Sequence, residues 1–162
     1  MAQAHGLTSV VIVAADSGAD LAMCIDRVLA GTTPVEVVVC DNASRDGSVD
    51  AVARRWSDDA RVRIVRNGAN LGFGAGCNRG AAQARGDVLL FLNPDCLIEP
   101  DAIARLRGFM APDIGLLGAA IFGIDGKAEP ASRRRDPFLR RAATSMLGLG
   151  GVNVPEGAVD VQ

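Results

Sequence analysis

The tightest constraint in this sequence is residues 87–95, Asp-Val-Leu-Leu-Phe-Leu-Asn-Pro-Asp, where five apolar residues run straight into a polar triplet. The apolar run is too short for an isolated helix and suits a strand covered on both faces, as in a parallel sheet. Pro94 has no N–H and biases Asn93 away from the helical region, so the strand ends there and Asp95 stands at its carboxyl end. In open α/β sheets ligands bind at that edge, which makes Asp95 a candidate ligand for a metal or a sugar hydroxyl. A plainer alternative stays open, that Asp95 caps the helix following Pro100.

The rest of the chain supplies partners for such a strand. Residues 7–15 read as a first strand built on Val10, Val11, Ile12 and Val13. Leu21, Ile25, Val28 and Leu29 then recur at helical spacing, with Ser17 as the expected cap and Gly31 as the expected end. Residues 35–40 form a second buried strand, and Asp41-Asn42-Ala43-Ser44 its carboxyl-end turn. A second helix is expected, with Asp46 in its first turn and Val49, Val52 and Trp56 on its apolar face. Residues 61–66 alternate in polarity, the mark of a strand near a sheet edge. After Pro100, Ile103, Leu106 and Met110 share a helical face; residues 114–121 read as a fifth strand, and Asp125-Gly126 as a turn. Strands alternating with helices predict an α/β layered domain with a largely parallel sheet. Asp41 and Asp95 are expected on neighbouring strands of it.

Between the third strand and residues 87–95 lies a stretch with five glycines in fourteen residues, 67–80, followed by an alanine-rich tail expected to be helical. Small residues let a backbone approach something closely. Two readings stay open: a phosphate cradle at a helix N-terminus, and a loop leading into a close-packed helix. A dinucleotide fingerprint requires its glycines directly after the first strand, and counting from Gly72 or Gly74 the third glycine is Cys77 or Arg79, so that reading fails. A Walker loop fails too, for want of Gly-Lys-Ser/Thr.

The 162 residues suit one domain with a real core, and 49% hydrophobic against 22% charged residues is a globular balance. A net charge of -2 argues against a general nucleic-acid binder. Residues 1–131 carry 12 basic and 16 acidic side chains, whereas residues 132–162 carry 5 and 3. The latter begin with an arginine-rich stretch and continue with Leu139, Ala142, Ala143, Met146 and Leu147 at helical spacing. That segment suits either phosphates and an anionic membrane surface or a plain solvated helix face. Cys24, Cys40, Cys77 and Cys96 are scattered, without a Cys-x-x-Cys pair or a nearby histidine, so they read as reduced thiols of a cytosolic protein rather than a zinc site.

Taken together, Val10-Val11-Ile12-Val13, Cys40-Asp41-Asn42-Ala43-Ser44-Arg45-Asp46-Gly47-Ser48, Asn70-Leu71-Gly72-Phe73-Gly74-Ala75-Gly76-Cys77-Asn78-Arg79-Gly80 and Phe91-Leu92-Asn93-Pro94-Asp95 resemble, in order and spacing, the family 2 glycosyltransferases. The rhamnosyltransferase-like branch is the most similar, and Asp125-Gly126 followed by Ser132-Arg133-Arg134-Arg135 also looks like it. The resemblance implies a GT-A fold, a Rossmann-like and mostly parallel sheet flanked by helices. It implies inverting transfer of a sugar from a nucleoside diphosphate sugar to a glycan or lipid-linked acceptor. By position, Ala14 and Asp16 stand in the first-strand loop of the donor site, and Asp41 matches the acidic residue that bonds the base or ribose. Asn70, Asn78 and Arg79 fall in the motif against the donor, with Arg79 offered to a phosphate. Asn93 and Asp95 match the metal-binding Asp-x-Asp, with Asp95 as the ligand of Mg²⁺ or Mn²⁺.

Two departures stand out. The first-strand loop is Ala14-Ala15-Asp16-Ser17 where Thr-Tyr-Asn-Ser is usual, which removes an aromatic side chain from beside the base. Members of the family also continue into an acceptor-binding region with an acidic pair that supplies the general base, and no residue here matches that pair. The expectation is a truncated fold with residues 1–131 as the nucleotide-sugar-binding core and 132–162 as a basic segment and loose tail of the same domain. No catalytic base is assigned within it. Such a protein would be cytoplasmic, with peripheral contact at the inner face of the membrane and a tendency to self-associate. The alternative from another class is a non-catalytic α/β module that binds nucleotide or serves assembly.

Overall fold

A computed structural model of the protein describes residues 4–123 and 125–128. The chain divides into two compact units, residues 1–112 and 113–162. The first contains β1 (Ala4–Ala14), α1 (Asp20–Leu29), β2 (Val35–Asp41), α2 (Ser48–Arg55), β3 (Val62–Arg66), α3 (Phe73–Gln83), β4 (Gly86–Leu92) and α4 (Ala102–Phe109). The sheet order is β3-β2-β1-β4 and every pairing is parallel. The expected α/β architecture is therefore what forms, with β3 at an edge.

The valine-rich run of β1 dictates the layering. Val10, Ile12 and Ala14 pack on one face with Leu21, Ile25 and Val28 of α1, Val49 and Val52 of α2 and Ile103 of α4. Val11 and Val13 pack on the other with Val38, Cys40 and Cys77 of α3. A strand apolar on both faces needs cover on both, and β1 and β2 receive it.

Glycine decides how α3 gives that cover. The helix starts at Phe73 rather than in the alanine-rich tail, and Gly76 and Gly80, one turn apart, form its contact with the sheet. A Cβ built at Gly76 would lie 2.8 Å from Val13 Cγ1, and one at Gly80 would overlap Val11 and lie 2.9 Å from Cys40 Sγ. At these two positions close packing, not a phosphate, accounts for the small residue.

At the amino edge of the sheet Glu36 is buried and fully engaged. It accepts hydrogen bonds from Ser9 Oγ at 2.7 Å, from the Arg85 N–H at 2.6 Å and Nε at 2.8 Å, and from Arg63 Nη2 at 2.9 Å. Burial by itself raises the carboxyl's pKa, but the hydrogen bonds of Ser9 and Arg85, together with the Arg85 charge, hold it below its ordinary value. Nearby Asp87 pairs with Arg107 at 3.0 Å and accepts from the Gly6 N–H. Those contacts bring it down to about 2.

Several local expectations are corrected. β4 is not covered on both faces: Leu90 packs into the core, but Leu89 and Phe91 are 41% and 45% exposed. The strand is at an edge, and α3 lies over β1 and β2 instead. Ser17 does not cap α1, which begins after Ala19; its Oγ accepts from the Ala15 N–H. Asp46 precedes α2, which follows Gly47 in the left-handed region, φ 76°. Residues 114–121 form no strand. A strand needs a ladder partner, none pairs with them among the described residues, and Gly115 and Gly118 weaken the run further. In that second unit the expected turn does form: Phe122 bridges Ala128, and Lys127 N–H donates to Asp125 Oδ1 at 3.0 Å. The basic stretch, the 139–147 face and the tail lie outside the described residues.

Two predictions follow from this packing. Gly80→Ala should destabilise by roughly 1–3 kcal/mol because the core must move. Gly74→Ala, in the same helix but facing open space, should stabilise by up to about 1 kcal/mol. Urea denaturation of both variants reads the two signs. Glu36→Gln should cost about 2 kcal/mol at neutral pH, less than for a fully enclosed pair because Arg63 and Arg85 regain water. Since the folded carboxyl titrates below its unfolded value near 4.5, its contribution is complete above that pH and is lost as pH falls through the folded value. Wild-type stability should therefore drop more steeply below about pH 4.5 than that of Glu36→Gln, as thermal melts across the acid range will show.

Candidate functional site

Parallel strands in register bring four carboxyl ends to one edge. Ala14 pairs with Asp41, Asp41 with Arg66, and Ile12 with Leu92. The loops after each strand meet there and divide into two polar groups on either side of β1.

The first group lies between the ends of β1 and β4. An open cleft of about 330 Å³ is lined by Ala15, Asp16, Ser17, Asp20, Asn93, Pro94 and Asp95. Asp95 is exposed in a turn closed by the Cys96 N–H donating to the Asn93 carbonyl at 3.1 Å. Cys24 of α1 donates its Sγ–H to the same carbonyl at 3.6 Å, anchoring the turn to the core. Burial pushes that thiol up to about 12, with Cys96 and Asp95 adding to the shift, so it stays protonated. Asp95 does not cap α4, which begins after Asp101. The capping alternative is thereby excluded.

A reciprocal clasp joins the loops after β1 and β2. Asp16, at φ 51°, offers Oδ1 to the N–H groups of Arg45 at 2.6 Å and Asp46 at 3.3 Å. In return Asp46 accepts from the Gly18 N–H at 2.8 Å, and from the N–H and hydroxyl of Ser48 at 3.0 and 2.6 Å. Bonds from Ser48 and Gly18 hold the Asp46 carboxyl below its ordinary value. The Asp16 N–H completes the clasp by donating to Ser44 Oγ at 3.2 Å.

The second group lies at the ends of β2 and β3. The buried Asp41 carboxylate accepts from the Ser44 N–H at 2.8 Å and pairs with Arg66 at 3.2 Å. Next to it Asn42, only 4% exposed, binds the loop 67–72 at three points. Its Nδ2 donates to the Gly72 carbonyl at 3.2 Å and to Asn70 Oδ1 at 3.4 Å, and its Oδ1 accepts from Asn67 Nδ2 at 2.8 Å. Asn67 Oδ1 in turn accepts from Arg79 at 3.5 Å.

The eight residues singled out in the sequence are therefore distributed. Asp16, Asn93 and Asp95 line the cleft. Asp41, Asn70 and Arg79 belong to the second group, and Ala14, buried, stands between. Asn78 is exposed on α3 and joins neither. Asp41 and Asp95 share the carboxyl edge but not neighbouring strands, because β1 runs between them. Sequence reasoning left out Asn42, Asp46 and Asp20. Asn42 and Asp46 stand in the motif of residues 40–48, and polar residues crowd the carboxyl-end turns, but neither signal says whom they bond.

The cleft offers hard oxygen donors, the kind that Mg²⁺ and Mn²⁺ take. Among the described residues no three His, Cys, Asp or Glu side chains are grouped to hold a metal ion by themselves. These residues fit a cation that takes one or two carboxylates and completes its shell with water and a ligand's phosphates, the usual arrangement for Mg²⁺.

Comparison with known proteins agrees with this architecture. The family model described as "Glycosyl transferase family 2" matches residues 9–153. An N-acetylglucosaminyl-diphospho-decaprenol L-rhamnosyltransferase of Mycobacterium tuberculosis is 33% identical over 133 residues, covering 74% of this chain and 42% of the relative. The mannosyltransferase PcManGT of Pyrobaculum calidifontis, solved with GDP-Man and Mn2+, superposes with a TM-score of 0.62 at 22% identity, over 72% of this chain and 35% of that one. S. aureus TarS 1-349, solved with UDP-GlcNAc, gives 0.57 at 23% identity, over 63% and 30%. At those identities the two structures share the fold. The chain spans about two fifths of the rhamnosyltransferase's length and about a third of each solved chain.

If the clasp fixes the two loops, Asp46→Ala should speed amide exchange at Gly18 and Ser48, and Asp16→Ala should speed it at Arg45 and Asp46. Core amides of β1 should keep wild-type protection in both. Hydrogen exchange followed by NMR, residue by residue, gives the answer.

Proposed function

This chain belongs to glycosyl transferase family 2, and from that premise we propose that it binds a nucleoside diphosphate sugar across the carboxyl edge of its sheet. The sugar would go, by inverting transfer, to a glycan or lipid-linked acceptor. The observation that carries the reading is the placement of a buried, oriented carboxylate, Asp41, on one side of β1 and an exposed one, Asp95, on the other. A nucleotide has a neutral end that needs oriented acceptors and an anionic end that needs positive charge. Asp41, held by Ser44 and Arg66, suits the nucleoside. Asp95, with Asn93 and Asp16 beside it, suits a divalent cation carried with the diphosphate.

Asp95 would hold Mg²⁺ or Mn²⁺, which supplies charge neutralisation for the departing diphosphate. The protein's own contribution is orientation. The clasp between Asp16 and Asp46 fixes the loop after β1, and Cys24 fixes the turn that carries Asp95. Holding a leaving group against a reaction partner in this way removes much of the entropic barrier to transfer. A lipid-linked acceptor, suggested by the name of the mycobacterial relative, would place the protein at the inner face of a membrane. Peripheral contact at that face is part of the proposal; among the described residues no helix is long and apolar enough to cross a membrane.

Isothermal calorimetry tests the reading directly. A nucleoside diphosphate should bind more tightly with Mg²⁺ or Mn²⁺ than with EDTA. Asp95→Ala should remove that difference, a loss of roughly tenfold to a hundredfold for one charge-assisted contact of ~1.5–3 kcal/mol. Equal affinity in EDTA and Mn²⁺ would refute the metal role, and no binding of any nucleoside diphosphate would leave a module of another kind.

A further inference from the structure

We infer that Asn42 is a positioning residue for nucleoside recognition: it holds the loop 67–72 beside Asp41, so that it governs which base is accepted without governing how the metal and diphosphate bind. The inference rests on the reading of Asp41 and Asp95 given above. It is not contained in it, because Asn42 needs no contact with the ligand.

The argument starts from burial. An amide side chain that is 4% exposed needs its donors and acceptor satisfied within the protein. Two of its three bonds reach side chains, but the third reaches the Gly72 carbonyl, which can only accept. That bond fixes which end of the Asn42 amide is nitrogen. The orientation then leaves Oδ1 to accept from Asn67 at 2.8 Å. The loop is thus pinned at its first and last residues, 67 and 72. Asn70, between them, is tied inward, since its Oδ1 accepts from both Asn42 and the Gly72 N–H at 3.0 Å.

The other end of Asn42 is equally fixed. Its N–H donates to the Ala14 carbonyl at 2.8 Å, and the Asn67 N–H donates to the Asp41 carbonyl at 2.9 Å, so the ladder continues one residue past each strand. Asn42 is therefore an extension of the sheet from which the loop is suspended. Asp41 is oriented by Arg66, on the strand that leads directly into that loop. Removing the amide frees the wall of the nucleoside group on the β2–β3 side. The Asp95 cleft, beyond β1, has no bond to Asn42.

The test measures calorimetric affinities of the full chain, with Mn²⁺ present, for UDP, TDP, GDP, CDP and ADP and for inorganic pyrophosphate. Wild type should separate its best and worst nucleoside diphosphate by at least about tenfold. Asn42→Ala should compress that ratio to within about threefold while keeping pyrophosphate affinity within about twofold of wild type. Asn42→Asp, which keeps the acceptor for Asn67 but loses both donors, should fall between. A merely structural role would lower the melting temperature and weaken all six ligands alike, which overturns the inference. So does unchanged discrimination in Asn42→Ala. Should that variant fail to fold, Asn67→Ala removes the loop's side of the strongest bond and must show the same compression. Failure of wild type to bind any nucleoside diphosphate overturns the proposed function itself, a result distinct from failure of Asn42 alone.

Discussion

Everything in the first unit depends on β1 being apolar on both faces. A strand that alternates can lie on a surface, but one reading Val-Val-Ile-Val must be sandwiched, and the sandwich forces helices onto both sides of a parallel sheet. On one side α1, α2 and α4 interlock through large aliphatic side chains. On the other α3 must lie directly over β1 and β2, and it gets there by presenting glycine, where any Cβ would occupy the space of Val11 or Val13. The glycine-rich motif and the valine-rich strand are thus one feature seen from two sides. Because the sheet is parallel, this same sandwich collects every strand's carboxyl end along one edge.

The two edges of that sheet treat charge in opposite ways. At the amino edge Glu36 and Asp87 are matched by Arg63, Arg85 and Arg107, and their acceptors are filled by protein donors. Such groups hold register and have nothing left for a ligand. At the carboxyl edge the matching is incomplete. Asp41 and Asp46 have protein partners, whereas Asp95 stands exposed in a turn on the rim of the cleft. Burying a carboxylate without partners is costly, so an oriented but buried one such as Asp41 must have its Arg66 and Ser44. An exposed one has no such requirement and remains available to a cation.

The layered architecture was legible in the sequence because apolar runs and helical spacing record burial directly. Val10 to Val13, Leu21, Ile25 and Val28, and Val49 and Val52 all lie where their pattern requires. What the pattern could not supply was sidedness and partnership. Five apolar residues in β4 look alike whether one face is covered or two, and here Leu89 and Phe91 remain exposed because α3 sits elsewhere. Small residues at Gly76 and Gly80 fit a phosphate cradle as well as a packed helix until the neighbours of each absent Cβ are known. Asp46 could be read only against its own helix, whereas its most informative bond goes to Gly18, 28 residues away. Asn42 likewise looked like one more turn residue, since nothing local announces bonds to residues 67, 70 and 72.

That same long-range pattern gives the candidate site its dimensions. Strands β2 and β4 flank β1, and two inter-strand spacings amount to roughly 10 Å between their carboxyl ends. On the proposed reading, the carboxylate that meets the nucleoside ends β2 and is placed by the ladder itself, whereas the one that meets the cation lies three residues beyond the end of β4 and is placed by the turn that the Cys96 N–H closes. A ligand that must satisfy both ends at once is therefore measured for length as well as for charge and base. Ala14, where an aromatic neighbour would otherwise be expected nearby, sits at the midpoint as a small buried residue paired with Asp41. The aromatic side chain of the related loops corresponds to Ala15, which lines the cleft, and without that aromatic the proposed recognition rests on the two polar groups at either side and on the loops that hold them.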